Sequence, residues 1–438
     1  MPHELDKILI SCQQSDFKEQ VKRFRSEMML AARCSGYGSQ ENQKVIEILR
    51  DVADHGDEAV ADYTNKFDGI KLTPEQFRVS KADLQQAHKQ IEPDLLTSLR
   101  QAIENVRKYQ SEIFIGDKNT HLGIKYSPIR RIGICVPGAS APLPSTVIMT
   151  AVPAQIAGVK EIAVVSPPRY KGGIHPVILA ACHELGIDEV YRIGGAQAVA
   201  ALAVGTGAIL KVDKIVGPGN KWVQSAKKNV SGDYVGIDSI AGPSEVLIVA
   251  NDKANPAWVA ADMLSQAEHA ADSSAIVVTD SQPLAEKVLT ELKKQVEQLQ
   301  RAEDAKESLK KFSRIIVFSD MTGAIELANE FASEHLEIQC GQESRKVADK
   351  VENAGAIFIG DFTPVAVGDY WAGPSHTLPT GTRAKFSSAL TSNDFVKSIS
   401  IIEYDKEMLA QSADDIIRLA EVEGLDAHAK SVRIRQQS

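Results

Sequence analysis

The spacing of apolar and polar positions changes character near residue 128. From residue 1 to about 110, apolar residues recur at helical intervals. In 45–63 the positions Val45, Ile46, Leu49, Val52, Ala53, Val60 and Tyr63 fall near a 3.6-residue period with Asp, Glu and Lys between them, which predicts amphipathic helix with one buried stripe. Beyond residue 128, short runs rich in Ile and Val end in Gly, Pro, Asn or Asp, and each is followed by a helical stretch. These runs are 131–136, 161–166, 189–193, 214–216, 246–250, 275–279, 314–318 and 356–359. Strands that alternate with helices predict parallel sheets covered on both faces. Eight runs suit two small doubly wound units better than one sheet. A boundary is expected at 236–244, where Ala241-Gly242-Pro243-Ser244 punctuates the pattern. The stretch 284–299 predicts an amphipathic helix with Leu284, Val288, Leu292, Val296 and Leu299 on its buried stripe, and 412–437 predicts helical pieces broken at Gly424. No internal repeat or low-complexity segment occurs.

Composition narrows the function. The chain has 438 residues, 43% hydrophobic and 24% charged, with a net charge of −9. That length is too great for one ordinary core, and the acidic balance argues against a phosphate-backbone partner. Five cysteines, Cys12, Cys34, Cys135, Cys182 and Cys340, are scattered and form no CxxC pair, which fits a reducing compartment and no thiolate metal site. The first residues lack the n-region and h-region of a signal peptide, and no run reaches the ~18 apolar residues of a membrane span. A cytoplasmic protein is expected.

The candidate chemistry begins in Ser265-Gln266-Ala267-Glu268-His269, which closes an apolar helical run. Positions i and i+3 share a helix face, so Gln266 and His269 can offer an oxygen and a nitrogen to one ion. Further ligands would come from Ser333-Glu334-His335-Leu336, Gly368-Asp369-Tyr370 and the segment from Glu423 to His428. Taken singly, an isolated His or Asp is more often a satisfied polar group than a ligand. Oxygen and nitrogen donors without thiolate suit Zn²⁺, with Mn²⁺ or Co²⁺ as alternatives. The absence of HExxH removes a zincin-type protease. Adjacent Glu334 and His335 carry the two groups an acid–base step needs; the bland alternative is a helix end beside Leu336 and Ile338. Because sites of open parallel sheets lie outside the carboxyl ends of their strands, the polar stretch 367–380 after the 356–359 strand is expected to contribute Asp369 and His376. Three glycine-bearing turns, at 136–138, 193–197 and 216–220, each follow an expected strand and could bring backbone amides to a phosphate or ribose. Ligand-free tight turns would look the same.

Together these segments closely resemble the histidinol dehydrogenase family over nearly the whole chain. The resemblance rests on Val136-Pro137-Gly138, Ile193-Gly194-Gly195-Ala196-Gln197-Ala198, Val212 to Asn220, Ala241 to Val246, Leu264 to His269, Ser333 to Leu336, Gly368-Asp369-Tyr370, Gly373-Pro374-Ser375-His376, Leu378-Pro379-Thr380, and Glu423-Gly424-Leu425 with His428. It implies a NAD-dependent oxidation of L-histidinol through L-histidinaldehyde to L-histidine, the last steps of histidine biosynthesis, with two successive hydride transfers. It implies one Zn²⁺ per subunit, held by Gln266, His269, Asp369 and His428, the last lent across a homodimer. His335 would take the hydroxyl proton, with a pKa expected near neutrality, and Glu334 would activate water. Ser244, His376 and Glu423 would contact substrate together with the metal-site residues and His335. Gln197 and Asn220 would contact NAD.

The resemblance also implies an architecture: α/β, two Rossmann-like parallel-sheet units, one inserted in the other, with a helical N-terminal segment and a C-terminal dimerisation arm. The expected bounds are 1–30, then 31–133 with 245–388, an inserted 134–244, and the arm 389–438. The chain departs from common family forms at Cys135, where many members have an aromatic residue against NAD, at Ala139, where they have glycine, at Ala270 and in 381–385. Two alternatives are a relative acting on another polar alcohol, which the full set of substrate positions disfavours, and a metal-dependent hydrolase using Glu334 and His335 without a nicotinamide.

Overall fold

The computed structural model describes residues 4–31, 39–138 and 142–436; Cys34 and Ala139 lie outside them. By density of contacts the chain forms a larger unit, Met1–Phe114 with Ile129–Phe395, and a smaller one, Ile115–Pro128 with Val396–Ser438.

The larger unit holds two all-parallel sheets. The six-stranded sheet has the order β1 (Leu9–Ser11), β10 (Arg314–Val317), β9 (Ser274–Thr279), β8 (Glu245–Ala250), β11 (His335–Gln339), β12 (Ala356–Ile359). Helices cover both its faces. Val246, Ile248 and Ala250 pack toward the helices Pro256–Ala267, Gln282–Gln295 and Ala302–Phe312, while Leu247 and Val249 pack toward Phe17–Ala31 and Met321–Phe331. This double cover explains why the strands read as continuous apolar runs. The five-stranded sheet has the order β5 (Glu189–Tyr191), β4 (Glu161–Val165), β3 (Arg131–Cys135), β6 (Lys214–Val216), β7 (Gly236–Ile237). Its core is shared with helices Gln40–His55, Asp57–Asp68, Gly195–Val204 and Lys221–Val230.

All eight expected strands occur, and the α/β class holds. Five strands were not expected: β1, β7, β11, β2 (Leu122–Pro128) and β13 (Val396–Ile402). The first helical stretch is also not continuous. Gly56 breaks it at φ 57° and ψ −127°, a conformation open to glycine, so Val45 and Val52 sit on one helix and Val60 on the next.

A buried ion pair fixes one turn of the smaller sheet. Lys227 and Asp238 side chains are 1% and 4% exposed. The Lys227 ammonium also donates to the Gly217 carbonyl at 2.9 Å, and the Gly217 N–H donates to Asp238 at 2.7 Å. Gly217 has φ 101°, and a Cβ there would lie 2.4 Å from the Cys135 carbonyl. The turn after β6 is therefore held by charge and by the lack of a side chain.

In the smaller unit β13 runs antiparallel to β2. Helices Lys406–Val422 and Asp426–Gln436 meet through Ile417, Ala420 and Ala429, with Gly424 at φ 72° between them. Leu419, Val422 and Ile434 remain exposed. Among the described residues no helix is long and apolar enough to cross a membrane.

Removing one partner of a buried pair strands the other charge, at a cost of about 3–5 kcal/mol. Asp238→Ala is accordingly expected to lower the unfolding free energy by that amount, read as a lower urea midpoint at unchanged m-value, with much of the loss recovered in Lys227→Met/Asp238→Leu. Unfolding curves for the three proteins check this, and an unshifted midpoint for the single variant rules out the clamp.

Candidate active site

The site starts from the two-residue alternation of β11. Leu336 and Ile338 pack into the core on one face, which sends His335, Glu337 and Gln339 to the other, where all three are buried. That face looks toward the helix Pro256–Ala267, whose last turn carries Gln266. His335 thus begins a central strand, with Glu334 immediately before it and the end of the helix Met321–Phe331 three residues earlier.

Glu334 and His335 are wrapped around the start of β8. Glu334 Oε2 accepts the Glu245 N–H at 2.9 Å, and His335 Nδ1 lies 3.1 Å from the Glu245 carbonyl. His335 Nδ1 is 3.7 Å from Glu334 Oε2, and its Nε2 is 3.6 Å from Asp369 Oδ1, an ionic contact too long for a hydrogen bond. Nε2 has no hydrogen-bond partner. Both oxygens of Glu245 accept the Gly381 N–H, each at 3.1 Å.

Burial disfavours charge on each group, and the neighbours then separate them. Burial pushes Glu334 up to about 7, with His335 pulling it back. Burial and the Glu334 charge push Glu245 up to about 7. Burial alone would lower His335, but the carboxylates of Glu334 and Asp369 overcome it and raise the ring to about 9. The near-neutral value expected from sequence is thus shifted: the two neighbouring carboxylates favour the protonated ring. Asp369 stays below its ordinary value despite burial, through His335 and, further off, His376 and His269. Burial lowers His376.

Gln266 is 1% exposed and neither its Oε1 nor its Nε2 has a partner. A buried carboxamide with both ends idle costs about 1–3 kcal/mol per lost bond, so it is poised for something absent from the chain. One turn on, His269 is exposed and its Nδ1 lies 2.9 Å from the Ser265 carbonyl. Donation from Nδ1 leaves the Nε2 lone pair free, as metal-bound imidazoles require. Among the described residues no group of three or more His, Cys, Asp or Glu could hold a metal ion by itself. The donors in this unit, Gln266, His269 and Asp369, fit a divalent cation only as a partial set.

The remaining expected residues divide by place. Ser244 immediately precedes β8, its carbonyl accepting the Ser274 N–H at 3.0 Å. His376 follows Ser375, whose hydroxyl donates to the Met149 carbonyl at 3.0 Å. Glu423 and His428 belong to the smaller unit, exposed at the end of Lys406–Val422 and in the first turn of Asp426–Gln436. The cluster lies at the amino ends of β8 and β11, which corrects the expectation of carboxyl ends. Asp369 reaches it because the helix Val365–Tyr370 turns back after β12. Glu245 and the Gly381 amide were missed as site groups, although Glu245 stood inside a quoted string and a buried acid at a strand start is a legible signal.

A second feature obeys the carboxyl-end rule. In the five-stranded sheet the chain reverses direction between β3 and β6, and a cleft of about 760 Å³ opens there, lined by Cys135, Gly138, Gly195, Gln197 and Asn220 among others. Gln197 is buried with Oε1 unpartnered, and Gly195 takes φ 71°. Asn220 Oδ1 caps its helix, accepting the Trp222 and Val223 amides at 3.1 and 3.2 Å, so its Nδ2 is the end left for a ligand. Burial pushes the Cys135 thiol up to about 12.

The sequence profile of the histidinol dehydrogenase family matches residues 33–436. The chain belongs to the histidinol dehydrogenase family. It is 47% identical over 401 residues to a histidinol dehydrogenase of Rhodopirellula baltica, covering 90% of this chain and 86% of that one. Against a histidinol dehydrogenase of Geobacillus kaustophilus it is 42% identical, covering 95% and 98%. The crystal structure of histidinol dehydrogenase from Elizabethkingia anophelis superposes with a TM-score of 0.91 at 34% identity, covering 100% of this chain and 99% of that one. Family membership makes the protein an oxidoreductase.

Because Gln266 has no partner in the chain, Gln266→Leu is expected to leave the melting temperature of the metal-free protein unchanged or raised while reducing zinc bound per chain. Thermal unfolding beside elemental analysis checks both. A melting temperature lowered by several degrees would show that the carboxamide already has a partner.

Proposed function

We propose that the protein carries out the NAD-dependent, four-electron oxidation of L-histidinol through L-histidinaldehyde to L-histidine, in histidine biosynthesis. The observation that carries this reading is the pairing of Glu334 and His335, a buried acid and a buried imidazole in contact, in a unit that also holds a buried Gln266 carboxamide with both ends idle. A hydrolase would need neither the nicotinamide-sized cleft nor its unpartnered Gln197.

His335, once neutral, takes the proton of the substrate hydroxyl at Nε2 as hydride leaves the carbon that bears it. The proton is then returned to solvent before the second oxidation. Glu334, raised toward neutrality by burial, accepts a proton from the water that adds to the aldehyde. His335 then takes the hydroxyl proton of the resulting hydrate as the second hydride leaves. Its contact with the Glu245 carbonyl fixes the ring while this happens. Ser244 and His376 would flank the substrate, and Glu423 of the partner subunit would accept a hydrogen bond from its amine N–H.

NAD⁺, held against Gln197 and Asn220, would supply the hydride acceptor. Gln266, His269 and Asp369, with His428 of the partner subunit, would hold Zn²⁺, whose contribution is to anchor the imidazole and amino nitrogens and to offset the negative charge beside His335. The incomplete donor set of the larger unit supports a ligand lent from elsewhere, and exposed Leu419, Val422 and Ile434 on the smaller unit support its role as a homodimer arm. In this reading 134–244 is the inserted unit between 31–133 and 245–388, preceded by 1–30 and followed by the arm 389–438.

Purified protein with L-histidinol and NAD⁺ should yield two NADH per histidine; NADH only with some other alcohol, or with none, refutes the proposal. His335→Asn should lower both oxidations by about 10²–10⁴ with zinc retained, and Glu334→Gln should release or accumulate aldehyde because hydration stalls. Stopped-flow NADH formation with an aldehyde trap separates the steps, and full turnover in either variant removes that residue from the mechanism.

Composite sites predict complementation. Inactive His428→Ala and His335→Asn chains, dissociated and reassembled together, should recover partial turnover from the one site per mixed dimer that is intact. No recovery in dimers verified as mixed would mean that His428 serves its own chain.

A further inference from the structure

Two residues beyond His335, on the same face of β11, lies a second acidic group that the proposed reaction does not use. Glu337 is 1% exposed, and its in-register neighbours, Ile248 on β8 and Phe358 on β12, carry no charge. Asp262, from the helix Pro256–Ala267, faces it across the Gln339 carboxamide. Two buried carboxyls on one amide, with no cation between them, sit together when one keeps its proton. Gln339 Nε2 donates to both, at 2.6 Å to Asp262 Oδ2 and 3.1 Å to Glu337 Oε2. The other oxygen of Glu337 accepts the backbone N–H of Val365 at 3.0 Å. Gln339 Oε1 is buried without a partner, so the cluster has one idle acceptor and no cation.

Each arm of this cluster sits close along the chain to a residue of the site. Asp262 precedes Gln266 by one helical turn, Glu337 follows His335 by one strand repeat, and Val365 begins the short helix that carries Asp369. A tie among these three points fixes the helix, the strand and the returning helix against one another. We infer that the Asp262–Glu337 pair, bridged by Gln339 and tied to the Val365 amide, is a positioning device that fixes the elements carrying Gln266, His335 and Asp369 against one another. What those three do rests on the function proposed above; the tie itself does not.

The proton gives the tie a signature that mere packing lacks. Burial and the Asp262 charge hold Glu337 far above the ordinary carboxylate range, and burial raises Asp262. Facing groups are Asp262 on the helix, Gln339 on the same strand, the Val365 amide, and His335 one repeat away. A carboxyl raised on folding stabilises the fold fully below its unfolded pKa of about 4, and that contribution is lost as pH rises through the folded value.

Glu337→Gln keeps a donor for Asp262 and an acceptor for Val365 without needing a retained proton, whereas Glu337→Leu removes both. On the zinc-loaded dimer, melting temperature from pH 5 to 9, zinc per chain and steady-state kinetics test the idea. The melting temperature of the unmodified protein should fall with rising pH more steeply than that of Glu337→Gln, which retains zinc and kcat within a few-fold. Glu337→Leu should lower kcat by about tenfold or more and lose zinc, with the KM for NAD⁺ little changed. If the Leu variant does not fold, Asp262→Ala takes its place with the same expectation. An unchanged kcat and zinc content in the folded disruptive variant overturns the positioning role, and equal pH slopes for the unmodified and Gln forms overturn the retained proton. Failure of the unmodified protein to form NADH from histidinol would instead sink the proposed function, leaving the pH comparison to decide the tie.

Discussion

A strand covered on both faces has nowhere to hide a polar side chain from the interior, and β11 carries three of them, His335, Glu337 and Gln339, on one side. Each must find a partner or pay several kcal/mol in lost hydration. The partners come from β8, from the helix Pro256–Ala267 and from the helix Val365–Tyr370. The two helices carry Gln266 and Asp369. The demand for polar satisfaction inside the sheet therefore organises the site: the contacts that make β11 tolerable also fix the helices that bear these candidate ligands, and Asp369 reaches His335.

The two sheets divide the labour between opposite ends. In the five-stranded sheet the cleft opens beyond the carboxyl ends of β3 and β6, where glycine turns let backbone approach a ligand. In the six-stranded sheet the reactive groups gather at the amino ends of β8 and β11. The electrostatics differ accordingly. The cleft is lined mainly by apolar side chains and glycines, with the Gln197 and Asn220 amides and charges of both signs among them, and its one thiol is raised by burial to about 12. The amino-end cluster packs two carboxyls near 7 against an imidazole near 9.

Much of this was legible in the residues. Apolar runs such as 246–250 and 275–279 fell inside their strands to within a residue, because central strands buried on both faces show mostly apolar side chains. β11 departs from that pattern: His335-Leu336-Glu337-Ile338-Gln339 alternates, which marks a strand with one solvent face, whereas here the polar half is buried against other polar groups. Gly56 was overlooked because the helical period resumes after it almost in phase. Gln266, His269 and Asp369 were readable as candidate ligands. The end of the sheet at which they meet was not, since that depends on the helix after β12 doubling back. The Glu245 carboxyl escaped notice because its partner is a main-chain amide 136 residues away.

That last contact fixes the count of the loop. What Glu245 grips is the peptide nitrogen of Gly381, in a backbone kink with φ 61° at Gly381 and 67° at Thr382, and the Arg383 charge beyond the kink steadies the same carboxylate. An inserted or deleted residue would pull the nitrogen off its acid.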